Sequence, residues 1–331
     1  MHTIARRAIA LALAAPALAV GLISTSHAQA TFPNRTVTIV VPFAAGGPTD
    51  VVARTLGTLM SRQLGQSVVV ENKLGAGGTV AAAYVTKAAP DGYTLLLHHN
   101  GMATAPALYR KMAYNPMTDF EYVGQVVDVP MTLLGRKDLP ARNLTELMAW
   151  LKANPGKANL ANAGLGAVSH LCGMLFQKAV GAEVTTVPFS GTAPAMNALL
   201  GGQVDLLCDQ TTQTTPHIKA GTVKLYGVTT LQRVRSLPDV PTLAEQGLKD
   251  FEVKVWHGIY APKGTPTAVI ERLGTALHAS LKDPGFVSRM ADLGADVVPE
   301  TKQSPEGLKT WLDSEIKKWG PVIRSAGVYA D

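Results

Sequence analysis

The 331-residue sequence lacks Gly-x-Ser-x-Gly, and with it a nucleophile elbow. It also lacks Gly-Lys-Ser/Thr, so no Walker-type phosphate loop is present. Lys and Arg are scattered and nearly missing from the glycine turns, which removes the footprint of a nucleic-acid-binding surface. There is no internal repeat, low-complexity tract or long linker, and no flexible Gly/Ser hinge. Two lobes in such a chain should be joined by strands. Only two cysteines occur, Cys172 and Cys208, and neither stands near the N-terminus, where a lipoprotein would be acylated. The apolar run Ala8 to Ile23 is short and alanine-rich, where a comfortable membrane span wants about 20 apolar residues.

What the N-terminus does contain is a secretory signal. Arg6 and Arg7 form a basic head, the apolar run follows, and Ala28-Gln29-Ala30 is a small-residue cleavage site. Residues 1–30 are therefore expected to be cleaved, leaving a soluble periplasmic protein. The formal net charge is +6, and removing Arg6 and Arg7 lowers it by two, to +4. That is a mild bias toward anionic ligands. A hydrophobic content of 47% supports substantial cores and a two-domain expectation. In an oxidising compartment Cys172 and Cys208 can pair as a disulfide; two buried thiols are the alternative.

After Pro33, short apolar strands alternate with amphipathic helices, the pattern of a layered α/β architecture. Strands are predicted at Val37–Val41, Ser67–Glu71, Tyr93–Leu97, Ala158–Ala161, Val184–Pro188, Gln203–Cys208 and Val223–Thr229. Helices are predicted at Pro48–Leu64, from Gly78 through Ala89, at Thr145–Asn154 and at Pro194–Leu200. The stretch Tyr122–Leu134 suits a strand crossing between lobes, and Trp256–Ala261 suits the return. Residues 266–331 read as mostly helical.

The most informative stretch is Val37-Thr-Ile-Val-Val-Pro-Phe-Ala-Ala-Gly-Gly-Pro-Thr-Asp50. A β-branched run ends in a glycine turn that opens a helix, with Pro48 carrying the φ favoured at the first helical position. Such a turn presents backbone N–H groups at the positive end of a helix, a ready site for a phosphate or a carboxylate. Three later junctions share this chemistry: Asn162 to His170, with Gly164, Gly166 and Ser169; Phe189 to Pro194, with Ser190, Gly191 and Thr192; and Cys208 to Thr212, with Asp209, Gln210 and two threonines. In open α/β sheets ligands bind beyond the carboxyl ends of the strands, so junctions from two lobes can face one cleft. Any one glycine turn is equally an ordinary short loop; four together favour binding.

Two helix termini and a few hydroxyls suffice energetically. A terminus contributes about 0.3–1 kcal/mol, up to ~2 when partly buried, and each hydrogen bond to a charged acceptor ~1.5–3 kcal/mol. Micromolar affinity needs about −8 kcal/mol, so no arginine need be buried. Gly75, Gly77 and Val80 match a dinucleotide fingerprint only partly. His98, His99, His170 and His257 lack the carboxylate–histidine spacing of a metal site and read instead as neutral hydrogen-bond donors. No metal or cofactor is expected.

These residues resemble the periplasmic solute receptors of tripartite tricarboxylate transporters, the Bordetella uptake gene (Bug) family. The likeness covers nearly the whole mature chain. It rests on Val41-Pro-Phe-Ala-Ala-Gly-Gly-Pro-Thr-Asp50, Val70-Glu-Asn-Lys-Leu-Gly-Ala-Gly-Gly78, Pro90-Asp-Gly-Tyr-Thr-Leu95 and Pro106-Ala-Leu-Tyr109. It continues through Gly201-Gly-Gln-Val-Asp205, Leu237-Pro-Asp-Val-Pro-Thr242 and Ala261-Pro-Lys-Gly-Thr-Pro266. The resemblance implies a two-lobed periplasmic-binding-protein fold of class II, a Venus flytrap with two crossover strands. On that basis lobe 1 comprises residues 31–131 and 253–331, and lobe 2 residues 132–252.

The resemblance further implies that main-chain groups, hydroxyls and waters hold a ligand carboxylate. Carried over, the expected ligand-binding residues are Phe43, Ala45, Gly46, Gly47, Thr49 and Asp50 from one lobe and Ala163, Gly166, Ala167, Ser169, Ser190, Thr192, Asp209 and Thr211 from the other. His98, Asn100 and His170, outside the carried-over stretches, are added as expected pocket donors. Phe43, His98 and Trp256 are expected as cleft walls. His98-His-Asn-Gly101, His170, His257 and the cysteine pair depart from the family pattern, which leaves an aromatic or an aliphatic carboxylate open. The expected protein is a monomeric, non-enzymatic receptor that delivers its carboxylate to inner-membrane permease subunits and binds no nucleic acid. A receptor for a two-component signalling system and a small-carboxylate enzyme are the competing readings.

Overall fold

The computed structural model of the protein describes residues 32–325, 327, 329 and 330. The signal segment 1–30 lies outside the described residues. In chain order the elements are β1 (Val37–Val41), α1 (Pro48–Leu64), β2 (Val68–Asn72), α2 (Thr79–Thr86), β3 (Thr94–His99), α3 (Gly101–Leu108) and β4 (Phe120–Gly135). Then follow α4 (Leu144–Ala153), β5 (Asn159–Asn162), α5 (Val168–Val180), β6 (Thr185–Pro188), α6 (Thr192–Leu200), β7 (Leu206–Gln210) and α7 (Thr211–Lys219). The remainder is β8 (Lys224–Val228), β9 (Lys254–Pro262), α8 (Thr267–Leu281), α9 (Pro284–Asp292), β10 (Asp296–Val297) and α10 (Pro305–Ser325).

The strands form one mixed ten-stranded sheet in the order β2-β1-β3-β9-β4-β7-β5-β6, with β8 and β10 also paired to β4. β1 runs parallel to β2 and β3, and β5 runs parallel to β6 and β7. Each trio is thus a small α/β unit with its strand ends pointing one way. The 16-residue β4 belongs to both: it pairs with β9 up to Pro130 and with β7 from Met131 onward. β9 closes the circuit by pairing antiparallel with β3 as well. The sheet is therefore continuous where the two halves meet.

Burial follows the expected periodicities. Val52, Leu56 and Met60 of α1 are fully buried against Ile39 and Val41 of β1 in the main core. That core runs through both halves, so each α/β unit rests on the same apolar floor. A second cluster, including Val40, Met102, Trp256 and Leu308, fills the other face of the first half. A third, including Met196, Leu199 and Leu207, lies under α6 in the second.

Several elements differ from expectation. β7 is Leu206–Gln210 instead of Gln203–Cys208, because Gly202 N and Gln203 N are still turning back onto Leu199 O and Ala198 O of α6. α2 stops at Thr86 instead of Ala89, where Lys87 N and Ala88 N tighten onto Tyr84 O and Val85 O, three residues back, ahead of Pro90. The stretch His98-His-Asn-Gly101, expected as a glycine-containing loop, instead ends β3 and starts the helix α3, with seven of that helix's eight residues buried. Burial there outweighs the glycine at its first position.

Candidate functional site

Four helices begin at one small cavity. It is lined by Phe43, Pro48, Thr49, His99, Met131, Ala163, Ala167, Val168, Ser169, Thr192, Asp209 and Gln210. Pro48 and Thr49 open α1, Val168 and Ser169 open α5, Thr192 opens α6, and Gln210 is the residue before α7. None of these four helix starts is closed by a side-chain hydrogen bond. The first N–H groups of a helix have no intrahelical partner, so the backbone aims donors and positive dipole ends at this spot. α4 and α9 are built differently, with Asn143 and Asp283 accepting from their first turns. No lysine or arginine lines the cavity.

Side chains around the cavity are tuned as neutral partners. Ser169 Oγ accepts from Ala163 N at 2.8 Å, which leaves its hydroxyl hydrogen to donate. Thr49 Oγ1 lies 3.1 Å from His257 Nε2. His257 Nδ1 is buried without a partner, so the tautomer with hydrogen on Nε2 wastes no donor. Thr49 then has its own hydrogen to give. His99 Nδ1 accepts from Gly101 N at 3.0 Å, placing its hydrogen on Nε2, and its ring stacks on Phe43 with centroids 4.7 Å apart. Burial pulls the His99 pKa down to about 3 and those of His98 and His257 well below the usual imidazole value. All three are neutral at physiological pH.

Of the residues expected from sequence, Phe43, Thr49, Ala163, Ala167, Ser169, Thr192 and Asp209 line the cavity. The others shape its walls from behind. Asp50 accepts from Gly46 N at 2.9 Å, pairs with Arg54 at 2.8 Å, and accepts from Asn72 Nδ2 at 2.8 Å. Burial pushes its pKa up, and the Arg54, Gly46 and Asn72 hydrogen bonds outweigh that, leaving it lowered. It locks the turn that carries Ala45, Gly46 and Gly47. Asn100 donates to Lys254 O and accepts from Trp256 N, tying β3 to β9. His170 Nδ1 accepts from Gly166 N at 3.2 Å. Thr211 Oγ1 donates to Pro130 O or Gly294 O, at 3.2 and 3.0 Å.

His98 and Trp256 do not line the cavity. His98 packs beneath it, where a Cβ on Gly78 or Gly101 would strike its ring. Trp256 donates its indole N–H to Glu315 Oε2 on the far face of β9. Successive strand residues point to opposite faces, so it is His99 that reaches the cavity and His257 that reaches Thr49. Pro48, Val168 and Gln210 lie in the turns expected to bind, and sequence reasoning names His99 as a neutral donor without setting it above His98, which strand parity could have done. Met131 is the lining residue that sequence reasoning missed, and it needed the fold.

The mouth is held shut by contacts between the two halves. Ala44 N donates to Ser190 O at 3.3 Å, Tyr109 OH to Leu165 O at 3.2 Å and Thr104 Oγ1 to Gly166 O at 3.4 Å. Leu171 packs with Leu108, Trp319 and Ile323. Cys172 of α5 and Cys208 of β7 form a disulfide, with Cα atoms 6.2 Å apart, tying one cavity wall to another. Among the described residues no group of three His, Cys, Asp or Glu is arranged to hold a metal ion. No helix among them is long and apolar enough to cross a membrane.

Two α/β units sharing long strands, with helix starts converging between them, define the two-lobed periplasmic binding proteins. Residues 52–328 match the family described as "Tripartite tricarboxylate transporter family receptor", and the chain belongs to that family. It is 50% identical over 302 residues to a protein encoded in the TAR-I ttuE-ttuC' intergenic region of Agrobacterium vitis, covering 91% of this chain and 87% of the relative. It is similar to the periplasmic binding protein BugD, with 53% identity and a TM-score of 0.88 over 90% of this chain and 99% of that one. It is also similar to MatC from Rhodopseudomonas palustris with bound malate, at 43% identity and a TM-score of 0.85, covering 88% and 100%. Family and neighbours are receptors, and this chain is a periplasmic binding protein, not an enzyme.

Proposed function

We propose that the protein captures a small carboxylate, a dicarboxylate or an aromatic carboxylate, between lobe 1 (31–131 and 253–331) and lobe 2 (132–252). It then presents the closed form to the inner-membrane permease subunits of a tripartite tricarboxylate-type transporter, after export and cleavage of residues 1–30. The observation that carries this reading is the meeting of four uncapped helix N-termini, from both lobes, at a cavity without a cationic side chain. Neutral donors from both lobes make the liganded, closed form the favoured one. The malate in MatC supports the chemistry by likeness. The cavity holds only about 20 Å3, room for one water molecule, so the ligand enters by separation of the lobes at the β4 and β9 crossings.

Isothermal titration with malate and with its neutral diamide tests this. The expected result is micromolar binding of malate, equivalent to about −8 kcal/mol, and none of the diamide. Equal affinity for malate and its diamide overturns the carboxylate reading, as does absence of binding by malate, adipate and benzoate alike.

A further inference from the structure

One acid lines this cavity. Asp209 stands one residue before the end of β7 and is 0% exposed. Its Oδ1 accepts from Gln210 N at 2.7 Å, and its Oδ2 is buried with no hydrogen-bond partner. No arginine or lysine stands near enough to line the same space. An ionised carboxylate in that position would face the ligand's own negative charge across a small buried cavity, and like charges at close range cannot both stay ionised. A carboxylic acid has no such conflict: it supplies one O–H donor and keeps an acceptor.

We propose, building on the carboxylate-receptor reading, that Asp209 serves the ligand as a neutral acid. Each carboxylate bound by the ionised protein brings one proton from solvent onto Oδ2, which then donates to a ligand oxygen. Asp209 is thus a specificity residue for ligands that can accept a hydrogen bond at that end, such as the second carboxylate of a diacid. Burial already raises the Asp209 pKa to about 7 in the protein alone, against the weaker pull of Gln210 N. A nearby anion raises it further.

The groups facing Asp209 do not titrate in its place. From β3 comes His99, neutral with a pKa of about 3. His257 behind Thr49 and His98 behind Phe43 are held well below the usual imidazole value by burial, and His170 of α5 is lowered as well. β4 opposes Asp209 with Thr132. α6 and β5 contain no titratable residue, and α7 carries His217 and Lys219 only in its last turn. Cys172 and Cys208 are bridged.

The test is calorimetric titration of the full protein with malate, a dianion throughout pH 6–9, in two buffers of different ionisation enthalpy. We expect Kd to rise at least tenfold from pH 6 to pH 9, with uptake approaching one proton per ligand above pH 7. Asp209→Asn, which keeps shape and a donor, should lose that pH slope. The two-buffer measurement on the parent protein stands even if the variant folds poorly. Malate binding without proton uptake or pH dependence overturns this inference and leaves the carboxylate reading intact. So does tighter binding of aspartate than malate that Asp209→Asn abolishes, since an ionised Asp209 would then be holding an ammonium group. Absence of binding by malate, adipate and benzoate at every pH overturns the carboxylate reading itself, and this inference with it.

Discussion

Gly47 has φ −77°, a value open to any residue, so its neighbours are what restrict a side chain there. A Cβ would stand 3.2 Å from Ala44 O and 3.8 Å from Ala193 N, between the α1 turn and the start of α6. Gly47→Val is therefore expected to abolish the thermal stabilisation produced by malate while leaving the unliganded melting temperature within a few degrees. A differential-scanning melt with and without ligand checks it; an undiminished shift would show that this turn is not part of the site. Glycine, proline and the polar residues after each strand were legible because turn chemistry is local. His99 was not, since the reading favoured its neighbour His98, and one residue of strand parity changes the face. Asp50 was legible as important but not as a strut, because its partner Asn72 lies at the end of β2, beyond the whole of α1.

At the scale of the element, the same local chemistry yields two kinds of helix start. Asn143 and Asp283 close α4 and α9 with their own side chains. Gly47, Ala167, Gly191 and Gln210 leave α1, α5, α6 and α7 open. A helix start without a cap forgoes roughly 1 kcal/mol; α2, α3 and α8 also lack a side-chain cap, so it is the convergence of α1, α5, α6 and α7 on one cavity that marks the site. The Cys172–Cys208 bridge spans 36 residues and joins α5 to β7 one residue before Asp209. A loop of that length restricts the unfolded chain by about 3–4 kcal/mol on the chain-entropy account. The Cys172→Ser, Cys208→Ser double variant should thus unfold at lower urea by that amount and bind malate more weakly, because two cavity walls lose their common anchor. Unchanged malate affinity in the folded variant would restrict the bridge to a stabilising role. That the two cysteines could pair was legible; what the pair holds together was not.

For the whole molecule, stability should peak near neutral pH. His98, His99, His170 and His257 have folded pKa values below the unfolded imidazole value. The unfolded chain takes up their protons first, so stability is lost as pH falls below about 6.5, by up to about 1.4 kcal/mol per pH unit for each histidine. Asp209 acts in the opposite sense: its folded pKa is raised to about 7, so its contribution is present at low pH and lost as pH rises from about 4 to 7. Several histidines outweigh one aspartate. Urea melts at pH 7, 6 and 5 should show a progressive fall; a flat profile would mean the histidines are solvated in the folded protein.

The sequence by itself determined the alternation of strands and helices, the glycine turns that start the helices, and the α/β class, because these depend on residues within a turn or two of one another. Its motifs also carried the family likeness. The tertiary structure decided which turns meet, which of two adjacent histidines faces the cavity, and that a buried acid stands among the donors. Those outcomes depend on how β4 and β9 join two distant parts of the chain into one sheet, and strand pairing across more than 100 residues leaves no local trace in the residues it brings together.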